Sequence, residues 1–334
     1  MTAADSFHIA AYQVEYETVL AQAQHTVAGF PPLLRSLAEP LLPQWGAASF
    51  SRIVALHPYW TASLLDRASS PAGSSDPPRR DETETLAQAN LLGWWSTLIQ
   101  DGLLDGDREQ TSLLPLSMAL HASAVRLLAG LLPGCDPFWQ AFEQLSLATF
   151  EACAWERRRR LDGLRTVGLD PAAADRLADR SSLLQLAVAA QCALRGIGPD
   201  HPLCAALCDM LRHYTIARQI ADDRSDWVQD LQNGQLNHVS SRLARRMWDG
   251  GAIGSFAELD LERMMGYYLH DDELFAAIHQ EAVDSCRRAA QCIAPYCSRP
   301  LDSLVGELAQ QLEQNYRTAL DSRRRLRAAF ALEK

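Results

Sequence analysis

The sequence predicts an all-α protein, a single-domain multi-helix bundle over residues 1–334, on three observations. Apolar residues recur every three to four positions in "ETLAQANLLGWWSTLIQ", "SSLLQLAVAAQCALRG" and "LVGELAQQLEQNYRTALDSRRRLR", the period that puts one apolar stripe on one helix face. Strict polar–apolar alternation, the mark of a half-buried strand, is scarce. Helix breakers then cut the chain at helix-sized intervals, as in "PAGSSDPPRRDETE" at 71–84 and "GIGPDHP" at 196–202.

Taken in order, residues 1–80 carry Pro31, Pro32, Pro40, Pro43 and Pro58 and read as short helices and a loop packed on the main bundle. From 85 to 320 the periodicity is nearly continuous and forms the expected core of the fold. The helix holding Trp94 and Trp95 runs toward Gly102 and Gly106, where it should fray. No repeat or low-complexity segment interrupts the chain.

Composition narrows the function. With 334 residues and 48% apolar residues, the chain can bury a large core. A net charge of -10 and a pI near 5.4 argue against a nucleic-acid partner, which calls for a basic face. Lys334 is the only lysine, so positive charge is almost wholly arginine, clustered at Arg157–Arg160 and Arg323–Arg327. No apolar run approaches the roughly 18–20 uncharged residues of a membrane span, and the N-terminus lacks a basic stretch followed by an apolar one, so a cytoplasmic location is expected. The eight cysteines lie in apolar helical settings with no C-x-x-C pair and are expected to be reduced.

Chemistry concentrates in "ARQIADDRSDWVQDLQNG" at 217–234. Asp222, Asp226 and Asp230 stand at i, i+4 and i+8 and project in nearly one direction. Each like-charge pair costs only about 0.2–0.5 kcal/mol on an exposed helix, so solvent alone could tolerate the row. The flanking Tyr214, Ile216, Ile220, Trp227, Val228 and Leu231 mark a core helix, and the acids are expected to line an inner edge where they want a hard cation such as Mg²⁺. A second pair, Asp101 and Asp105 in "DGLLD", sits at i and i+4 at a helix end.

With two carboxylate sets on two helices, the chain resembles the class I isoprenoid synthases, the α-helical superfamily of terpene cyclases and chain-elongating prenyltransferases. "QIADDRSDWVQDLQNG" matches the cyclase motif N/D-D-x-x-S/T/D-x-x-x-E/D through Asp222, Asp226 and Asp230, and the prenyltransferase motif Q-x-x-D-D-x-x-D through Gln219, Asp222, Asp223 and Asp226. "DGLLD" is similar to the first motif, D-D-x-x-D, with Gly102 in place of the second aspartate. Arg176 stands 46 positions before Asp222, with Asp179 three on, as the diphosphate-sensing arginine does in bacterial cyclases; Arg180 and Ser181 stand near the prenyltransferase lysine–threonine pair. Tyr316 and Arg317 resemble, in reversed order, the C-terminal Arg-Tyr pair that closes over diphosphate.

The resemblance implies a bundle of the class I terpenoid synthase type with a central active-site cavity. It implies Mg²⁺, three ions, held by Asp101, Asp105, Asp222, Asp226 and Asp230. Asp101, Asp222 and Arg176 would be catalytic, with Arg176, Arg180, Tyr316 and Arg317 on the substrate diphosphate. Trp94, Trp95, Phe150, Trp227 and Tyr214 are candidate cavity walls, since aromatic faces stabilise cations, and each alone is more often plain core. The expected activity is that of a terpene synthase (a lyase): ionisation of a linear C15 or C20 prenyl diphosphate, then carbocation cyclisation and quenching. The expected partners are the prenyl diphosphate and a second copy of the chain as a homodimer, with no nucleic acid. Two alternatives stay open: a chain-elongating trans-prenyltransferase, against which the missing G-K-x-x-R stretch counts, and a non-catalytic α-helical relative, which the altered first motif favours.

Overall fold

The computed structural model describes residues 7–69, 80–105, 109–158, 176, 178–179, 182–255 and 258–332. Among the described residues every regular element is a helix and there is no strand, as the periodicity predicts. The fold divides into two compact units, one of Met1–Ser146, Leu183–Cys208 and Ile293–Leu304, the other of Leu147–Ser182, Asp209–Cys292 and Val305–Lys334.

The first unit holds α1 (Phe7–Ala10), α2 (Gln13–Ala28), α3 (Pro32–Ala38), α4 (Leu42–Ala47), α5 (Ser49–Ser69), α6 (Arg80–Asp105), α7 (Leu114–Leu131), the start of α8 (Asp136–Arg158), α9 (Leu183–Leu194) and the start of α10 (Pro202–Gln232). Prolines account for the short α3 and α4, each with proline in its first turn, where the missing N–H is no loss. Where short helices are expected up to residue 70, α5 instead runs 21 residues straight through Pro58. Pro58 strips the Val54 carbonyl of its helical donor, and the Asn90 amide on α6 replaces it at 3.0 Å. The His57 ring also meets that carbonyl, at 3.1 Å.

Helix α6 is central to this unit. Leu86 and Ala89 of α6 pack with Leu128 of α7, Leu132 just beyond it, Phe138 of α8 and Leu186, Ala187 and Ala190 of α9. Each fully buried leucine contributes about 1.5–3 kcal/mol. Small residues let α6 and α7 approach: Ser96 and Ser117 exchange hydrogen bonds at 2.9 Å, and a Cβ at Gly93 would sit 3.9 Å from that of Ala124. Gln110–Leu131 is one helical stretch long and apolar enough by composition to cross a membrane, but Arg126 interrupts its uncharged run and it packs on α6. Two cysteines depart from the expected reduced state. The 196–202 turn brings the end of α9 against the start of α10, and Cys192 and Cys204 are bonded, Cα atoms 6.8 Å apart.

The second unit holds the rest of α8 and α10, α14 (Arg299–Leu332) from Val305 onward, its first turns being in the first unit, and α11 (His238–Asp249), α12 (Leu261–His270) and α13 (Asp272–Ile293). Gly234, with φ of 76°, ends α10: the Gly234 and Gln235 amides donate to the carbonyls of Leu231 and Asp230, at 2.9 and 2.8 Å. Arg323, from the arginine run on α14, is buried and works at a helix end. Its guanidinium donates to the carbonyls of Leu269 and Asp271 at 2.9 and 3.2 Å, satisfying the orphan carbonyls of α12, and lies 4.0 Å from the centre of the Phe275 ring.

Candidate active site

Helix α10 presents the acidic row on two faces. Tyr214, Ile216, Ile220, Trp227 and Leu231 are buried as the pattern predicts, and burial pushes the Tyr214 phenol up to about 12. Asp222 and Asp226, one turn apart, are exposed, the Asp222 side chain by 54%. That corrects the expectation of acids on an inner edge: the apolar stripe occupies the inward face, and the 100° step per residue carries Asp222 and Asp226 off it. Arg218, one turn earlier, places its Nε 3.5 Å from the Asp222 carboxylate. Partial burial pushes the Asp222 carboxyl up from its ordinary value; Arg218 pulls it down, and Asp223 and Asp226 push it further up.

Asp223 points the other way. It is buried, accepts the His238 backbone N–H at 2.7 Å at the start of α11, and takes the Gln219 amide at 2.7 Å. Asn237 knits this corner together. Its amide nitrogen reaches the Asp223 carbonyl and the Asp230 carboxylate, both at 2.8 Å, while its oxygen caps α11 by accepting from the Ser240 amide at 3.0 Å. Asp230 is therefore held by a side chain that the motif spacing does not include, and Asp223 is a structural acceptor. The chain thus presents carboxylates in the Asp222, Asp226, Asp230 register, with only the first two exposed.

The upstream pair lies in the other unit. Asp101 is in the last turn of α6, and the side chain of Asp105 lies outside the described residues. A Cβ at position 102 would meet only the far end of the Gln110 side chain, which can swing aside. Arg176 lies 5.2 Å from the centre of the Trp155 ring. Its expected companion Asp179 instead pairs with Arg212 of α10 at 2.6 Å, a residue that the motif spacing misses. Arg180 lies outside the described residues. Tyr316 is stacked on His279, ring centres 3.9 Å apart, and on Phe275 at 5.4 Å; Arg317 pairs with Glu313 on its own helix at 2.8 Å.

The aromatic candidates separate in the same manner. Trp95 is fully buried and stacks on Trp45, Trp94 meets the edge of Phe50, and Trp227 is buried against Tyr268. These are core contacts. Phe150 is 52% exposed.

Among the described residues no three His, Cys, Asp or Glu side chains converge as a finished metal cage. Asp222 and Asp226 nevertheless fit Mg²⁺ in one mode: hard carboxylate oxygens, open to solvent, supplying one or two ligands while phosphate and water supply the others.

No family model matches the sequence, and no curated protein matches it. Solved structures do. A decaprenyl diphosphate synthase from Rhodobacter capsulatus superposes with a TM-score of 0.69 at 15% identity, over 91% of this chain and 98% of that one. A heptaprenyl diphosphate synthase from Staphylococcus aureus gives 0.66 at 14%, over 91% and 97%. A geranylgeranyl pyrophosphate synthetase from the archaeon Geoglobus acetivorans gives 0.66 at 15%, over 91% and 99%. The chain has the all-α isoprenoid synthase fold of these prenyl diphosphate synthases.

Proposed function

We propose that the chain is a class I isoprenoid synthase that ionises an allylic prenyl diphosphate. The observation that carries this reading is the exposed Asp222–Asp226 pair, one turn apart on α10 of this fold, flanked by Arg218. Asp222 and Asp226 would hold Mg²⁺ and, through it, the diphosphate end of the substrate, and Asp101 and Asp105 are assigned to metal on the resemblance of the first motif. Bound Mg²⁺ supplies neutralisation of the charge that gathers on diphosphate as the carbon–oxygen bond breaks. Arg218 steadies the Asp222 carboxylate, and Arg176 is assigned to the leaving diphosphate, its planar fork suited to two phosphate oxygens. An apolar lining then has to keep water from the allylic cation.

Prenyl transfer is the finer reading we favour: the cation is attacked by the double bond of a second isoprenoid diphosphate, and a proton is lost. Its support is the likeness in fold to polyprenyl synthases. Cyclisation is the second reading. It is favoured by the engagement of Asp223 in the α11 cap, which removes one carboxylate of the prenyltransferase register, and by the absence of any lysine before Lys334.

One experiment separates them: farnesyl and geranylgeranyl diphosphates with Mg²⁺, with and without isopentenyl diphosphate, followed by mass analysis. Products lengthened by five-carbon units, formed only with isopentenyl diphosphate, support transfer. Hydrocarbons or alcohols formed without it support cyclisation. Unchanged substrate in every arm refutes both.

A further inference from the structure

The face of α10 turned away from the acidic row carries a cation with no acid beside it. Arg224 is two positions, roughly 200° around the helix, from both Asp222 and Asp226. It is 8% exposed, and among the described residues no hydrogen bond or ion pair engages its guanidinium. After burial, the Arg224 charge helps to hold the His279 imidazole below its usual value, against a smaller pull from Glu313. A cation that keeps only a little solvent contact and has no acid on it favours an anion that can reach it.

A cavity of about 320 Å³ lies against this arginine, entirely within the second unit. It is lined by Arg224 and Ser225 of α10 and by Asn315, Thr318, Ser322 and Arg323 of α14, with Tyr268 at its side and no carboxylate in the lining. Arg323 adds an independent signal. Its Nη atoms are spent on the α12 carbonyls and on Asp272 at 3.1 Å, but its Nε is buried without a partner. The Ser225 and Thr318 hydroxyls donate to the carbonyls of Ala221 and Gln314, which leaves Tyr268, Asn315 and Ser322 as the donors beside two guanidiniums, the chemistry that takes up a tetrahedral oxyanion.

We propose that this cavity is a second anion site, for a phosphate group, borne by Arg224 on the side of α10 opposite the metal-directed aspartates. It stands whether or not the synthase reading holds, because it uses neither Asp222 nor Asp226. Its source is either a free ion, phosphate or diphosphate, or the head of a phosphate ester whose chain rests on Ala319 and Leu326.

Calorimetric titration of the full chain with inorganic phosphate, diphosphate and a short alkyl phosphate, in EDTA so that metal-dependent diphosphate binding is silent, tests this. Wild type should bind at least one of the three. Arg224→Met should weaken that binding tenfold or more, and Thr318→Glu, which fills the cavity with a carboxylate, should do the same while Arg224 remains. Circular dichroism of both variants checks their helical content. Preference for the alkyl phosphate would assign the site to an ester; equal or better binding of the bare ions would assign it to them. No binding by wild type, or binding that both folded variants retain, overturns the proposal.

Discussion

Asp222 and Asp223 are neighbours in sequence, and their surroundings give them different work. Asp223 is buried and accepts from the His238 N–H and the Gln219 amide. Asp223→Ala should therefore cost about 1–3 kcal/mol of stability, the price of stranding buried donors, read as a lower urea midpoint at unchanged slope. His57 makes a second prediction at this scale. Fully buried, its imidazole is held down to about 4 from 6.5, by burial above all. Below pH 6.5 the unfolded chain takes up a proton that the folded chain refuses, so stability should fall between about pH 6.5 and 4, by about 3 kcal/mol in total. His57→Phe should remove that part of the slope; an unaltered pH profile in the variant would contradict the assignment. The one-directional row of Asp222, Asp226 and Asp230 was legible from spacing alone. Which acids point outward was not, because Asn237 and His238, which claim Asp230 and Asp223, lie beyond the helix and outside any motif.

At the level of elements, α11 depends on one side chain. Asn237 caps it and ties two positions of α10, so Asn237→Ala should destabilise by about 1–2 kcal/mol, the usual cost of an N-cap, measured in urea. A loss below about 0.3 kcal/mol would mean that solvent replaces the cap. The Cys192–Cys204 bond closes a loop of 12 positions between α9 and α10, and reducing it should cost about 3 kcal/mol in the chain-entropy view, seen as a lower melting temperature in dithiothreitol. Cys192→Ser should melt at that lower temperature with or without reductant. Helices α6, α9 and α10 were legible because their own apolar spacing specifies them. The path of α5 through Pro58 was not, since its repair comes from Asn90 on another helix. Nor was the role of Arg323: an arginine run reads as a solvated face until α12 is seen to end against it.

Over the whole molecule, the all-helical class followed directly from periodicity, and the fold of the prenyl diphosphate synthases agrees with what the two aspartate motifs implied. The choice between transfer and cyclisation was not legible, because it turns on how a second diphosphate is held and on cavity depth, which arise from many helices rather than from one run of residues. What the reading as a synthase demands is simple: carboxylates exposed on α10 must be needed for release of diphosphate, and not for folding. The most direct measurement is Mg²⁺-dependent diphosphate release from farnesyl and geranylgeranyl diphosphates, with isopentenyl diphosphate present, by wild type and Asp226→Asn. Wild type should release diphosphate, and the variant, with unchanged circular dichroism and melting temperature, should be slower by tenfold or more, a barrier rise of at least about 1.4 kcal/mol. Release by the variant at the wild-type rate, or none by wild type from either substrate, would contradict it.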